Sequence, residues 1–118
     1  MKVKLFNLRN SDWSDIVKDI LESKAVIIGS PTLNVGIFPT VAGFLTYLKG
    51  LKPRGKIWAA FGSYGWGRGA IGSINKLFEE ARFEAPEPPL EIQFVPDEND
   101  INQCLEFGAR MAKRAKEV

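Results

Sequence analysis

The 118-residue chain contains no histidine and a single cysteine, Cys104. Without histidine there is no Ser-His-Asp or Cys-His triad, no imidazole general base, and no full ligand set of the usual zinc or di-iron kind. One cysteine permits neither an internal disulfide nor a thiolate cluster, so redox chemistry would need a borrowed cofactor. Long apolar runs are missing too. Ala25–Gly29 and Ile57–Phe61 fall far short of the ~20 residues that span a bilayer. The first ten residues carry Lys2, Lys4 and Arg9 and lack the apolar core of a signal peptide. These absences set the expectation of a cytoplasmic chain with no membrane partner. Nor is there an excess of one charge: 16 basic and 14 acidic side chains leave +2. No basic stripe invites nucleic acid; Lys113, Arg114 and Lys116 suit a helix terminus.

What is present is ordinary for a globular chain, with 45% apolar and 25% charged residues, enough for one domain with a real core. The apolar period changes along the chain. Val3, Leu5 and Leu8 mark a short extended stretch, followed by Asn10-Ser11-Asp12 as a helix start. Trp13, Ile16, Val17, Ile20 and Leu21 recur at helical spacing. Ala25–Gly29 reads as a strand buried on both faces, Ser30–Gly36 as a loop. Pro39 suits a helix first turn, with Ile37, Val41, Phe44, Leu45 and Leu48 as its apolar side and Gly50 as its stop. Lys56–Phe61 is a second buried strand, Gly62–Gly69 a glycine-rich loop, and Ile71, Ile74, Leu77, Phe78 and Ala81 a third helical stripe. After a stiff Ala85–Pro89 connector, Leu90, Ile92 and Phe94 alternate as a strand near an edge. Pro96-Asp97-Glu98 opens a last helix with Ile101, Cys104, Leu105, Gly108, Met111, Ala112 and Ala115 on one side. Four strand–helix units predict an α/β fold, a doubly wound parallel sheet.

Such sheets bind ligands beyond the carboxyl ends of their strands. Two loops fall there. Ser30-Pro31-Thr32-Leu33-Asn34-Val35-Gly36 offers hydroxyls and an amide beside open backbone. Gly62-Ser63-Tyr64-Gly65-Trp66-Gly67-Arg68-Gly69 offers close main-chain approach and two flat aromatic faces. Together they describe a cleft for a planar heteroaromatic ligand. Tight turns and a surface anchor for a partner are the plainer readings of the same residues. Trp13 and Trp58 read as core, and Cys104 as a buried, inert thiol. Asp12/Asp15 and Glu79/Glu80 read as caps or solvated faces. No catalytic residue stands out.

Gly29-Ser30-Pro31-Thr32-Leu33-Asn34 with Gly36, and Phe61-Gly62-Ser63-Tyr64-Gly65-Trp66 some thirty residues on, resemble the flavodoxin-like domain of the flavodiiron proteins (A-type flavoproteins). The similarity covers nearly the whole chain. It implies FMN, with Ser30, Pro31, Thr32, Leu33, Asn34 and Gly36 lining one side of the isoalloxazine ring and Gly62, Ser63, Tyr64, Gly65 and Trp66 the other. It also implies electron transfer, with a redox partner protein that the sequence does not name. Two departures stand out. Arg68 occupies a position that is usually small or acidic, where it would pair with an anion or crowd the ring edge. At the front, Val3–Leu8 matches the second strand of that fold, and nothing before Asn10 resembles its opening strand and phosphate-binding loop. Residues 1–118 therefore read as one flavodoxin-like domain, incomplete at its N-terminus, with an exposed strand edge beside Ala25–Gly29 and an apolar patch beside the last helix. That reading predicts a homo-oligomer or a complementing subunit. The rival readings are a cofactor-free interaction module and, ranked last, an FMN-dependent reductase of a small substrate.

Overall fold

The structure is a computed structural model that describes residues 2–33, 36–37 and 39–118, the side chains of Leu33 and Gly36 excepted. The elements run α1 (Trp13–Glu22), β1 (Ala25–Leu33), β2 (Gly36–Ile37), α2 (Pro39–Leu51), β3 (Ile57–Tyr64), α3 (Ala70–Ala81), β4 (Leu90–Gln93) and α4 (Glu98–Lys116). The strands form one sheet in the order β2-β1-β3-β4. β1 and β3 are parallel from Ala25 beside Ile57 to Pro31 beside Ser63. β4 extends the parallel set from Leu90 beside Phe61 to Gln93 beside Tyr64. Helices cover both faces, which is the doubly wound α/β arrangement expected.

Local chemistry sets the helix ends. The Ser14 N–H donates to Asp12 Oδ1 at 2.9 Å, capping α1. At α4 the Asp97 carboxylate accepts from the Asp100 N–H at 2.8 Å while Asp100 accepts from the Asp97 N–H at 3.1 Å, a reciprocal capping box. Glu98 and Asp100 in its first turn and Lys113, Arg114 and Lys116 in its last complement the helix dipole. α2 does begin at Pro39, but it runs through Gly50 to Leu51. Its stop is Lys52, whose φ of 53° is left-handed and whose N–H donates to Leu48 O at 3.0 Å.

The strand residues alternate between two cores. On one face Trp58 and Ala60 of β3 and Ile28 of β1 join Ile16, Ile20, Val41, Phe44, Leu45, Leu48, Ile71, Ile74 and Phe78 from α1, α2 and α3. Trp58 stacks on Phe83 with centroids 4.0 Å apart, and Trp13 meets Phe44 edge-on at 5.2 Å. On the other face Ile57 and Ala59 take Phe107 and Met111 of α4. Trp13 and Trp58 are packing residues, as expected.

Five further expectations need correction. Val3–Leu8 forms no strand: Val3 and Leu5 are exposed, Lys4 is tied to Asp19 of α1 at 2.9 Å, and Leu8 alone of those three apolar residues packs on the core. An alternating stretch becomes a strand only beside an edge it can pair with, and no described strand lies beside this one. The four parallel strand–helix units are instead three parallel strands plus β2, a return hairpin that pairs antiparallel with β1 at Thr32–Ile37 and Leu33–Gly36. β1 and β3 also run on into the expected loops, through Ser30–Leu33 and Gly62–Tyr64, because their main chains continue to bond each other there. Ile37 accordingly belongs to β2 rather than α2, though it still packs on the core. Finally, α4 buries only Phe107, Met111 and Ala115, leaving Ile101, Leu105 and Cys104 exposed.

Candidate functional site

The parallel register brings the two sequence-identified loops together at the carboxyl ends of β1 and β3. Ser30 lies beside Gly62 and Pro31 beside Ser63. Ser30 is buried and its hydroxyl donates to the Pro31 carbonyl at 2.8 Å. Gly62 is required by close approach: a Cβ there would come within 2.8 Å of the Ser30 carbonyl oxygen and 3.2 Å of Ile71 Cδ1. Thr32 crosses to the next element, its Oγ1 accepting from the Ala70 N–H at 3.3 Å. One hydroxyl thus anchors the start of α3 to the end of β1.

Tyr64, Gly65 and Trp66 extend beyond the sheet and are braced from the β4 side. The Gln93 side-chain amide donates to the Gly65 carbonyl at 3.3 Å, and the Phe94 N–H donates to the Tyr64 carbonyl at 2.7 Å. Phe94 adopts φ 57°, an uncommon conformation for a bulky residue. It presents its ring edge-on to Trp66 at 5.8 Å. Trp66 is otherwise bare, with 98% of its surface exposed. Arg68 donates from Nη2 to the Tyr64 hydroxyl at 2.9 Å, and its guanidinium carbon lies 4.9 Å from the centre of the Tyr64 ring. That hydrogen bond and the nearby negative charge of Glu91 push the guanidinium further above its ordinary value, so it is a fixed cation. Arg68 therefore holds Tyr64.

Of the expected site residues, Ser30, Pro31, Thr32, Gly62 and Ser63 cluster around the β1 and β3 ends, with Tyr64, Gly65 and Trp66 on the adjoining rim. Leu33 and Gly36 are placed as the ladder pair that closes the β2 hairpin. Asn34 lies outside the described residues. Sequence reading misses the bracing roles of Gln93, which ends β4, and Phe94, just beyond it; nothing in the alternation marks the left-handed turn at Phe94. A concavity of about 1180 Å³ lies elsewhere, at the amino ends of the strands among Lys52, Arg54, Lys56, Arg82 and Glu84. Lys56 is buried there, donates to the Ser23 carbonyl at 2.9 Å, and has its pKa lowered by desolvation. Parallel sheets seldom place chemistry at that end.

Residues 1–108 match the Flavodoxin family. The chain belongs to the flavodoxin family. It is 43% identical over 114 residues to a nitric oxide reductase of Moorella thermoacetica, covering 96% of this chain and 29% of that protein. Among solved structures, the rubredoxin oxygen:oxidoreductase of Desulfovibrio gigas superposes with a TM-score of 0.91 at 37% identity, over 97% of this chain and 28% of the other. An archaeal flavodoxin superposes at 0.81 with 28% identity, over 92% of this chain and 74% of the other. The similar structures include flavodiiron proteins. The chain thus spans well under a third of the longer relatives, and its similarity to them lies in a flavodoxin-like domain.

The family points to FMN, and the described residues suit its ring. An exposed indole, the hydroxyls of Ser63, Tyr64 and Thr32, and open main chain at Gly65 provide the flat apolar and polar contacts such a ring takes. Among the described residues no group of three or more His, Cys, Asp or Glu side chains could hold a metal, and no helix is long and apolar enough to cross a membrane.

Proposed function

We propose that this chain is an FMN-binding electron-transfer module, residues 1–118 acting as one flavodoxin-like domain in the cytoplasm. Ser30, Pro31, Thr32, Leu33, Asn34 and Gly36 serve one side of the ring, and Gly62, Ser63, Tyr64, Gly65 and Trp66 the other. Bound FMN supplies transfer of one or two electrons. The protein's own part is positional. Trp66 offers a stacking face, Gln93 and Phe94 keep its loop in place, and Arg68 fixes Tyr64 while contributing a permanent positive charge. The nitric oxide and oxygen reductions named for the longer relatives would need their remaining sequence. This chain would exchange electrons with a separate redox protein and work in an oligomer or with a complementing subunit.

The observation that carries this reading is the bare indole of Trp66 on a braced loop beside the β1 and β3 carboxyl ends. Titration of FMN with the purified chain should quench flavin fluorescence. Trp66→Ala should weaken binding roughly tenfold, the worth of one aromatic stacking contact. Arg68→Leu should leave binding within a few-fold yet shift the bound flavin's reduction potential downward, through loss of a nearby cation. An FMN fluorescence spectrum unchanged by excess protein overturns the proposal.

A further inference from the structure

The concavity at the amino ends of the strands has two walls, residues 52–56 between α2 and β3 and residues 82–84 after α3. The second wall is fastened to the sheet, since the Trp58 N–H donates to the Glu84 carbonyl at 2.8 Å. Phe83, on that wall, is held by its stack on Trp58.

Positive charge gathers in this space without matching carboxylates. Six basic side chains line it against three acidic ones. Lys49 is already taken by Glu80 at 3.0 Å, and Arg114 by Glu87 at 2.7 Å. Among the described residues, Lys52, Arg54, Lys56 and Arg82 form no ion pair, which leaves Glu84 and Glu117 as the only uncommitted acids of the lining. Lys56 is the sharpest case. It is 9% exposed, and its ammonium donates to a neutral carbonyl, that of Ser23, at 2.9 Å. A charge withdrawn from water is ordinarily met by an opposite one.

The main chain holds two of these cations where glycine is favoured. Lys52 follows α2 at φ 53° and Arg82 ends α3 at φ 59°. A left-handed residue at a helix end is usually glycine, because a Cβ crowds the backbone there. Gly50 is close by in sequence but lies inside α2. The helix dipole does not account for the pair. A cation in the last helical turn would complement it without strain, as Lys49 does in α2.

We infer that this concavity binds a nucleotide-sized organic polyphosphate, its phosphates on Lys52, Arg54 and Arg82 and its organic part against Phe83 and Pro86. Guanidinium forks match phosphate oxygens in pairs, and several unpaired cations together select a multiply charged anion. The same anion supplies the buried Lys56 ammonium with a counter-charge. Phe83 and Pro86 line the space and are half-buried, which leaves apolar surface for a ring. The volume of about 1180 Å³ is ample for such a ligand. This site lies at the opposite end of the sheet from the flavin loops and does not rest on FMN binding.

The test is isothermal titration of the purified chain with ADP, which should occupy one site. Lys52→Gly and Arg82→Gly should each weaken binding roughly tenfold while raising the urea midpoint, since each removes a cation and relieves a left-handed side chain. Arg54→Gln should weaken binding to a similar extent, and Trp66→Ala should leave it unchanged. Inorganic pyrophosphate, which lacks the organic part, should bind roughly tenfold more weakly than ADP. Absence of heat at millimolar ADP overturns the inference. So does ADP binding that Trp66→Ala weakens and the other three variants leave alone, which would put the nucleotide at the flavin loops. Pyrophosphate binding as tightly as ADP removes the role given to Phe83 and Pro86 and overturns it as stated. Glycine variants that lose stability and keep full affinity would make Lys52 and Arg82 helix caps and nothing more. None of these readouts involves a flavin, so a failure of FMN binding remains distinguishable.

Discussion

Ile27 and Ile28 are adjacent in β1 and point to opposite faces of the sheet. Ile28 is shut in beneath the helices of one face, whereas Ile27 stays open beside α4. The same contrast runs through β3, where Trp58 and Ala60 are enclosed and Phe61 is not. Three helices cover the first face and one covers the second. Burial of a strand residue is thus decided by the elements laid over it. An unbroken apolar run states only that both sides were built to be covered.

Substitutions can break or sharpen this contrast. Trp58→Ala, on the enclosed face and stacked on Phe83, should cost about 3–5 kcal/mol in urea unfolding. Met111→Ala removes a buried side chain of α4 from the face that a single helix covers, and should fall at the low end for its type, about 2 kcal/mol. A loss as large as that at Trp58 would show the two faces to be equally well packed. Asp97→Ala removes the cap that starts α4 and should cost about 1 kcal/mol. Leu105→Ala, on the bare stripe, should change stability by under about 0.5 kcal/mol. A larger loss would mean that the stripe is already covered in solution.

The smallest effect concerns how α4 is tied to the Ala85–Pro89 connector. Glu87 accepts from Arg114 Nε at 2.7 Å and lies 3.5 Å from Arg110. The Arg114 hydrogen bond holds the Glu87 carboxyl below its ordinary value. Its stabilisation is therefore complete above the unfolded-state value, about 4.3, and fades as pH falls through the lower folded value. Glu87→Gln should lower stability slightly at neutral pH, leave it unchanged below the folded value, and so flatten the acid side of the profile, as read from urea midpoints across pH.

Much of the architecture was legible in the chain. The continuous runs at Ala25 and Ile57, Pro39 at a helix start and the Asp97 cap each carry a local physical signal, and the structure keeps all of them. The two segments after those runs stand out by their glycine and hydroxyl residues, but apolar period alone does not show that β1 and β3 continue through Ser30–Leu33 and Gly62–Tyr64. What could not be read depends on partners distant in sequence. Val3–Leu8 has the alternation of a strand and lacks an edge to join. Cys104 and Leu105 have the period of a buried stripe and lack a neighbour to bury them. Arg68 stands out of place in the motif, but its grip on the Tyr64 hydroxyl depends on how the loop folds back. Phe94 sits in a left-handed turn that apolar alternation cannot announce.

The Thr32–Ala70 hydrogen bond has an electrostatic consequence. By fixing where α3 begins, it directs the amino end of a 12-residue helix toward the carboxyl ends of β1 and β3. The aligned peptide groups of such a helix act as roughly half a positive elementary charge at that end. Excess negative charge gathering there would meet dipoles whose orientation was settled when the chain folded, so little reorganisation energy would accompany its arrival.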